Sequence, residues 1–142
     1  SSSVRLYTNN IPQDKGTHLT GFKSDWTAGL NNFARENKLL KDKDENLSGA
    51  DYEEGLVLIL NFKMIDPVFK GQSKEELTSS EGRTYVQKLT TKALENIFVE
   101  NKIHTQYKKI LELVHMQILQ KRIVAKMQTI AKYNLHLQNG YA

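Results

Sequence analysis

The stretch Leu56-Val57-Leu58-Ile59-Leu60-Asn61-Phe62-Lys63-Met64 decides the fold class. Its first half is continuously apolar, as in a strand covered on both faces, and Asn61 and Lys63 restore alternation toward its end. It is far too short to cross a bilayer. It therefore reads as the central strand of a sheet. The segments around it alternate strand, helix, strand, helix, the order expected of an α/β or α+β domain.

Working upstream, Ser48-Gly49-Ala50-Asp51 has the form of a capping box, with Ser48 as N-cap and Asp51 three residues on, and Gly55 closes the short helix it opens. Leu39 to Asn46 is a charged connection and the best candidate for a mobile loop. Before it, Leu19, Phe22, Trp26, Leu30 and Phe33 recur at steps of three and four, which predicts a helix over Thr17 to Lys38. Gly21 and Gly29 lie inside that helix at a cost of up to ~1 kcal/mol each against alanine. Close packing is the expected reason for keeping them small. Val4 to Ile11 is rich in β formers and ends at Pro12, so it reads as an edge or first strand entering a turn over Gln13 to Gly16.

Downstream, Asp66 to Ser79 is a polar loop too long for a tight turn, the kind of segment that often carries function. Thr78 and Glu81 suggest a second capping box, opening a helix from Ser79 to Asn101 with Val86, Leu89, Ala93, Ile97 and Phe98 on one face and Gly82 weakening its first turn. From Ile103 an apolar pattern runs through Tyr107, Ile110, Val114, Ile118, Ile123 and Met127 to Ile130, with no proline or glycine before Gly140. A helix of ~30 residues spans ~45 Å, more than the body of such a domain needs. Part of it should project and touch something else.

With 142 residues the chain suits a single domain, and 39% hydrophobic with 25% charged residues is an ordinary globular balance. It contains no cysteine, which excludes a disulfide scaffold, a thiol nucleophile and a Cys-ligated metal, and fits a reducing, cytoplasmic compartment. Ser1 to Arg5 carries no secretory-signal pattern, and no run is long enough for a membrane span. The formal charge is +4, yet from Lys102 onward seven Lys and Arg face Glu112 alone. A basic C-terminal third on a slightly acidic body can meet phosphate or simply be a solvated helix face.

The four histidines show no metal-ligand spacing, so no metal site is expected, and no Walker A, G-x-G-x-x-G or G-x-S-x-G motif is present. A self-contained active site is not expected. The loop Gly71-Gln72-Ser73-Lys74 is of another kind. A lysine behind a glycine in a polar loop after a strand can reach a phosphate as a point charge, with Gln72 donating an amide hydrogen bond beside it. From spacing alone an ordinary surface lysine is the commoner reading of such a residue.

Several blocks of the sequence bear on this choice: Tyr7 to Gln13 (YTNNIPQ), Gly16 to Phe22 (GTHLTGF), Asn46 to Asp51 (NLSGAD) with Glu54-Gly55-Leu56, Asp66 to Lys74 (DPVFKGQSK) and Ser79-Ser80-Glu81. In this order they resemble the transducer domain of the B subunits of bacterial DNA gyrases, type IIA topoisomerases whose close relatives include the corresponding subunits of topoisomerase IV. The resemblance covers about residues 7 to 100. It implies a ribosomal-S5-like (S5 domain 2-like) mixed sheet with helices on one face and a long C-terminal helix. Residues 1–101 would form the transducer core and 102–142 a basic helix linking to a following domain.

The resemblance also implies roles. In that family a Q-T-K loop enters the ATP site, so Lys74 would contact the γ-phosphate and Gln72 assist, with Ser73 in place of threonine. ATP and magnesium would be held mainly by an upstream ATP-binding domain, leaving this chain inactive alone although it serves an ATP-hydrolysing isomerase. The partners implied are that domain, DNA and the gyrase A-type subunit. Lys121, Arg122 and Lys126 are the candidate DNA-facing residues. Gly16 stands where relatives usually carry two glycines, Gly82 replaces a common valine, and His115 to Lys132 lacks the usual alanine- and arginine-rich pattern. The alternatives from other classes are a stand-alone S5-like nucleic-acid-binding module and a helical oligomer built on the Ile103 to Ile130 stripe.

Overall fold

A computed structural model of the chain describes residues 2–100 and 105–138. Lys102, Ile103, His104, Gly140 and the expected boundary at 101/102 lie outside the described residues. The elements run β1 (Ser3–Thr8), β2 (Ile11–Gln13), β3 (Lys15–Gly16), α1 (Thr17–Glu36), α2 (Gly49–Glu53), β4 (Val57–Phe62), β5 (Glu76–Leu77), α3 (Ser80–Glu100) and α4 (Thr105–Gln138).

The single strand expected over Val4 to Ile11 is instead a hairpin. Asn9 and Asn10 take φ of 50° and 67°, the left-handed pair that a two-residue hairpin turn requires and that asparagine tolerates. β2 folds back antiparallel on β1, with Tyr7 opposite Pro12, and proline is admissible because β2 is an edge. The turn is tied to the chain leaving β4. Asn9 donates to the Met64 carbonyl (2.9 Å) and accepts from its N–H (3.0 Å), while Asn10 Oδ1 accepts from Asn61 (2.6 Å) and Lys63.

β4 pairs in parallel with β1, giving the strand order β2-β1-β4, and a separate parallel pair joins β3 to β5. The expectation for β4 is corrected here. Among the described residues β1 is the central strand and β4 an edge, and β4 is covered on one face only. Leu58, Leu60 and Phe62 turn inward, whereas Val57 and Ile59 are 74% and 71% exposed, level with Ser3 and Arg5 on the outer face. A run of apolar residues identifies a strand but does not report how many layers cover it. On the opposite face Leu60 and Phe62 pack with Phe22 of α1 and Val86 of α3, so these two helices share one face of the sheet, as the resemblance implies.

Helices α1 and α3 pack together along most of their length. A Cβ added to Gly21 would sit 2.5 Å from the Arg83 carbonyl oxygen, and one added to Gly29 would sit 2.6 Å from Leu94 Cδ1. The close packing expected of both glycines is therefore present. Against this pair Leu30, Phe33, Ala34, Leu40, Leu47, Tyr52, Leu94 and the first turns of α4 form the main core. Phe33 is the pivot, stacked on Phe98 (4.6 Å between centroids) and edge-on to Tyr107 (5.6 Å). Such aromatic pairs are worth about 0.5–1.5 kcal/mol each beyond their buried area.

The Leu39 to Asn46 connection is pinned, contrary to its polar composition. Arg35 bonds Asn46 Oδ1 and the carbonyls of Lys41 and Asp44, and Leu40 and Leu47 are buried. Asn31, itself buried, bonds both backbone groups of Leu47 at 3.0 Å and accepts from the Tyr52 hydroxyl at 2.9 Å. The Ser48–Asp51 capping box is formed as expected. The one expected at Thr78 is not: that hydroxyl donates to the Val68 carbonyl, and α3 begins at Ser80.

With 34 residues α4 spans about 51 Å. Tyr107, Ile110, Val114, Gln117 and Ile118 bury its first half, and from Leu119 to His136 every residue is exposed. The projection expected from its length is there. Gly21→Ala gives the sharpest check of the helix platform. Helix propensity would reward alanine by up to about 1 kcal/mol, but the contact is with backbone, which cannot step aside cheaply. We expect a net loss of about 1–2 kcal/mol in urea unfolding, at the lower end of overpacking costs, and a gain would mean that α1 and α3 separate freely.

Candidate functional site

The loop after β4 is a second hairpin, built from both ends. Val68 and Ser79 close it, with Val68 N–H donating to Ser79 Oγ (2.7 Å) and Thr78 N–H to the Val68 carbonyl (2.8 Å). One step further in, Phe69 bridges antiparallel to Leu77 and Lys70 N–H donates to the Glu76 carbonyl (2.9 Å). What remains outside the ladder is the tip, residues 71–75, all exposed. The loop expected over Asp66 to Ser79 thus has a strand in it.

The hairpin is also fastened sideways. β5 pairs with β3, and Asp14 N–H and Lys15 N–H both reach the Glu75 carbonyl, at 2.9 and 3.4 Å. Through β3 the tip is joined directly to the first turn of α1. The Glu76 carboxylate lies 3.8 Å from Lys15 Nζ and 4.0 Å from Lys70 Nζ, so two of the lysines around the tip have an acidic neighbour.

Lys74 does not. Its Nζ lies over the Phe69 ring, 5.9 Å from the centroid, and no ion pair joins it among the described residues. An exposed cation–π contact is worth only about 0.5–1 kcal/mol. An anion offering a charge-assisted hydrogen bond outcompetes it. The backbone of Lys74 is left-handed, φ 55°, as is that of Gly71, φ 78°, so the tip turns sharply at both ends. The structure therefore brings Gln72 and Lys74 together on one exposed turn. That turn offers an amide and an ammonium, which suits a phosphate oxygen and offers no carboxylate cage for a metal. Among the described residues no group of three His, Asp or Glu side chains is placed to hold an ion.

Beneath the hairpin sits His18, to which spacing assigned no role. It is fully buried, neither ring nitrogen has a hydrogen-bond partner, and its ring fills the space a Cβ on Gly16 would need, next to Leu77. Burial pushes its pKa below the ordinary 6.5, offset in part by the nearby Gly16 backbone. The candidate DNA-facing residues are placed differently from one another. Lys121 Nζ lies 3.0 Å from Asp51, and Arg122 lies 3.6 Å from Asp44 and donates to the Leu39 carbonyl. Burial disfavours the charged form of Asp51, but Lys121 and the Ser48 donors outweigh it and hold that carboxyl below its usual value. Lys126 projects from the exposed half of α4.

The family model for DNA gyrase B matches residues 1–132. The chain belongs to the DNA gyrase B family. It is 40% identical over 102 residues to the DNA gyrase B protein of Mycolicibacterium smegmatis and 41% identical to that of Mycobacterium tuberculosis. The matched segment is 71% of this chain and 15% of each relative, so the chain spans a small part of the length of those proteins. Among solved structures it is similar to the 43K ATPase domain of Thermus thermophilus gyrase B in complex with an aminocoumarin (TM-score 0.74, 29% identity, 94% of this chain and 34% of that one). It is also similar to the topoisomerase IV ATP-binding domain of Francisella tularensis (TM-score 0.70, 27% identity, 86% and 34%). No helix among the described residues is long and apolar enough to cross a membrane.

His18 makes a pH prediction for this gyrase B segment. Above about pH 6.5 the ring is neutral whether the chain is folded or not. As the pH falls through that value, the unfolded chain takes up a proton that the buried site refuses, and stability falls toward the lowered folded pKa. Urea unfolding free energies for wild type should therefore drop between about pH 7 and pH 5. His18→Phe should flatten that decline, and an unchanged slope in the variant would show that His18 is not its source.

Proposed function

We propose that the chain is the transducer segment of a gyrase-type, ATP-dependent type IIA DNA topoisomerase, in which the Gln72-Ser73-Lys74 tip senses the γ-phosphate of ATP held by an adjoining ATP-binding domain. The observation that carries this reading is the Lys74 ammonium, exposed on a braced hairpin with the Phe69 ring beneath it, in a chain of the gyrase B family. ATP and its magnesium would be held mainly by that other domain. The tip would contribute one charge-assisted bond from Lys74 and one neutral bond from Gln72.

The mechanism follows from differential contact. With the γ-phosphate present, Lys74 exchanges a weak ring contact for an anion in a partly desolvated site; once phosphate leaves, that preference vanishes. The two nucleotide states thus differ by an interaction at the tip. Bracing through β5 and β3 would pass that difference to α1 as rigid-body motion rather than absorb it in a slack loop. α4, fastened to α1, α2 and the connection between them, would then act as the lever toward the following domain, the A-type subunit and captured DNA. Lys126 would meet phosphate, whereas Lys121 and Arg122 would mainly hold the lever to the body. Alone, the chain would hydrolyse nothing. A topoisomerase IV protein is the second reading; the likeness to the Francisella tularensis domain supports it only weakly, being lower than that to the Thermus thermophilus gyrase B domain.

Two measurements test this. In the ATP-binding domain joined to this chain, Lys74→Ala should lower ATP turnover about 10²-fold, the usual cost of one preorganised donor to a developing anion. Nucleotide binding should be largely kept, and Gln72→Ala should cost less. Unchanged turnover would sink the sensor role. For DNA, Lys126→Ala should weaken binding equally across sequences and lower the salt slope by about one. A slope unaffected by Lys126 would remove α4 from the DNA contact.

A further inference from the structure

We propose that Gln13 is a positioning residue for Lys74, holding the backbone at the root of that side chain in its left-handed turn. The inference rests on the reading of Lys74 as the γ-phosphate contact. Gln13 lies on β2, outside the hairpin that carries Lys74, and is buried to 8% exposure. Its Nε2 donates to the Lys74 carbonyl at 3.3 Å, and its Oε1 accepts from Thr8 Oγ1 at 2.5 Å. Thr8 is fully buried on β1. The amide is thereby held at both ends. With Lys74 offering only a carbonyl, the nitrogen must face it, which leaves the oxygen for the threonine hydroxyl.

A lysine has no intrinsic reason to adopt a φ of 55°. The left-handed region costs a side-chain-bearing residue about 1–3 kcal/mol and persists where the surroundings over-determine it. Here three bonds do so within two residues, from Gln13 to the Lys74 carbonyl and from Asp14 and Lys15 to that of Glu75. The backbone pair fixes the far side of the tip. Among the described residues it is Gln13 that grips the Lys74 backbone itself, so the direction in which the ammonium leaves the hairpin is set from β2. Between Gly71 and Ser73 no such grip is present among the described residues. The tip thus has a fixed foot under its charge and a free leading edge, an arrangement that lets the loop approach a phosphate while the lysine keeps its aim.

The test pairs a structural readout on this chain with turnover in the ATP-binding domain joined to it. Gln13→Met keeps length and burial but removes both bonds; Thr8→Val removes only the hydroxyl that orients the amide and serves if the first variant folds poorly. We expect Gln13→Met to lose the left-handed signature in the Lys74 Cα and Cβ chemical shifts. Tryptic cleavage after Lys74 should become about tenfold faster, since an unbraced tip opens locally more often. Turnover should fall about 10- to 100-fold, the range for a misdirected group, with KM for ATP unchanged. Thr8→Val should move each readout the same way by less. Retained left-handed shifts and cleavage rate in Gln13→Met would overturn the clamp, and lost shifts with normal turnover would overturn its role. If Lys74→Ala itself leaves turnover intact, the sensor reading falls and this inference with it; if Lys74→Ala is crippled while Gln13→Met is not, only the inference falls.

Discussion

The contact between α1 and α3 at Gly21 is the constraint on which the other parts are mounted. With the Arg83 carbonyl where a side chain would otherwise begin, the two helices meet almost backbone to backbone. That closeness sets the width of the platform at both ends. At one end it brings Gly16, His18 and Leu77 into a single cluster, so the strand that leads from the Lys74 hairpin is seated against the first turn of α1. At the other it lets Phe33 reach Phe98 and Tyr107, which is how α4 is held. A looser pair would leave the hairpin and the long helix attached to the same domain without a stiff path between them.

The path matters because both of its ends are exposed. The Lys74 ammonium rests on a ring by an interaction worth about as much as thermal energy, and α4 is exposed from Leu119 to His136. What lies between is held by buried polar groups with few alternatives. Asn31 satisfies both backbone groups of Leu47 and the hydroxyl of Tyr52, an arrangement in which losing one partner strands several buried atoms at once. A stiff middle with two lightly held ends is what transmits a small difference in contact energy as displacement.

Much of this is legible in the residues. The steps of three and four from Leu19 to Phe33, the glycines demanding close packing, the Ser48–Asp51 box and the unbroken pattern toward Gln138 all describe local physics, and each has its counterpart in the fold. The features that are not legible share a cause. Asn9-Asn10 encodes a hairpin turn, but Pro12 beside it reads as the end of a strand, and the edge position that admits proline is a tertiary fact. Leu56 to Leu60 is apolar whether one face or two are covered. The charged run after α1 looks free because the groups that pin it, Asn31 and Arg35, lie on a different element.

The site divides in the same way. Gln72 and Lys74 can be singled out because an amide and an ammonium behind a glycine carry their chemistry in their own side chains. Gln13 and Thr8 cannot, since nothing in a glutamine after a proline names the carbonyl it will meet some sixty residues later. The asparagine pair, read as a turn, puts Gln13 opposite Leu6 and facing inward, which is where the signal lies. Lys121 and Arg122 illustrate the converse. Their charge suggests a nucleic-acid face, yet charge does not distinguish a phosphate outside the molecule from Asp51 and Asp44 within it. Residues that touch a ligand advertise themselves by type, while those that aim or anchor them are visible only once the chain has brought distant backbone groups to their side chains.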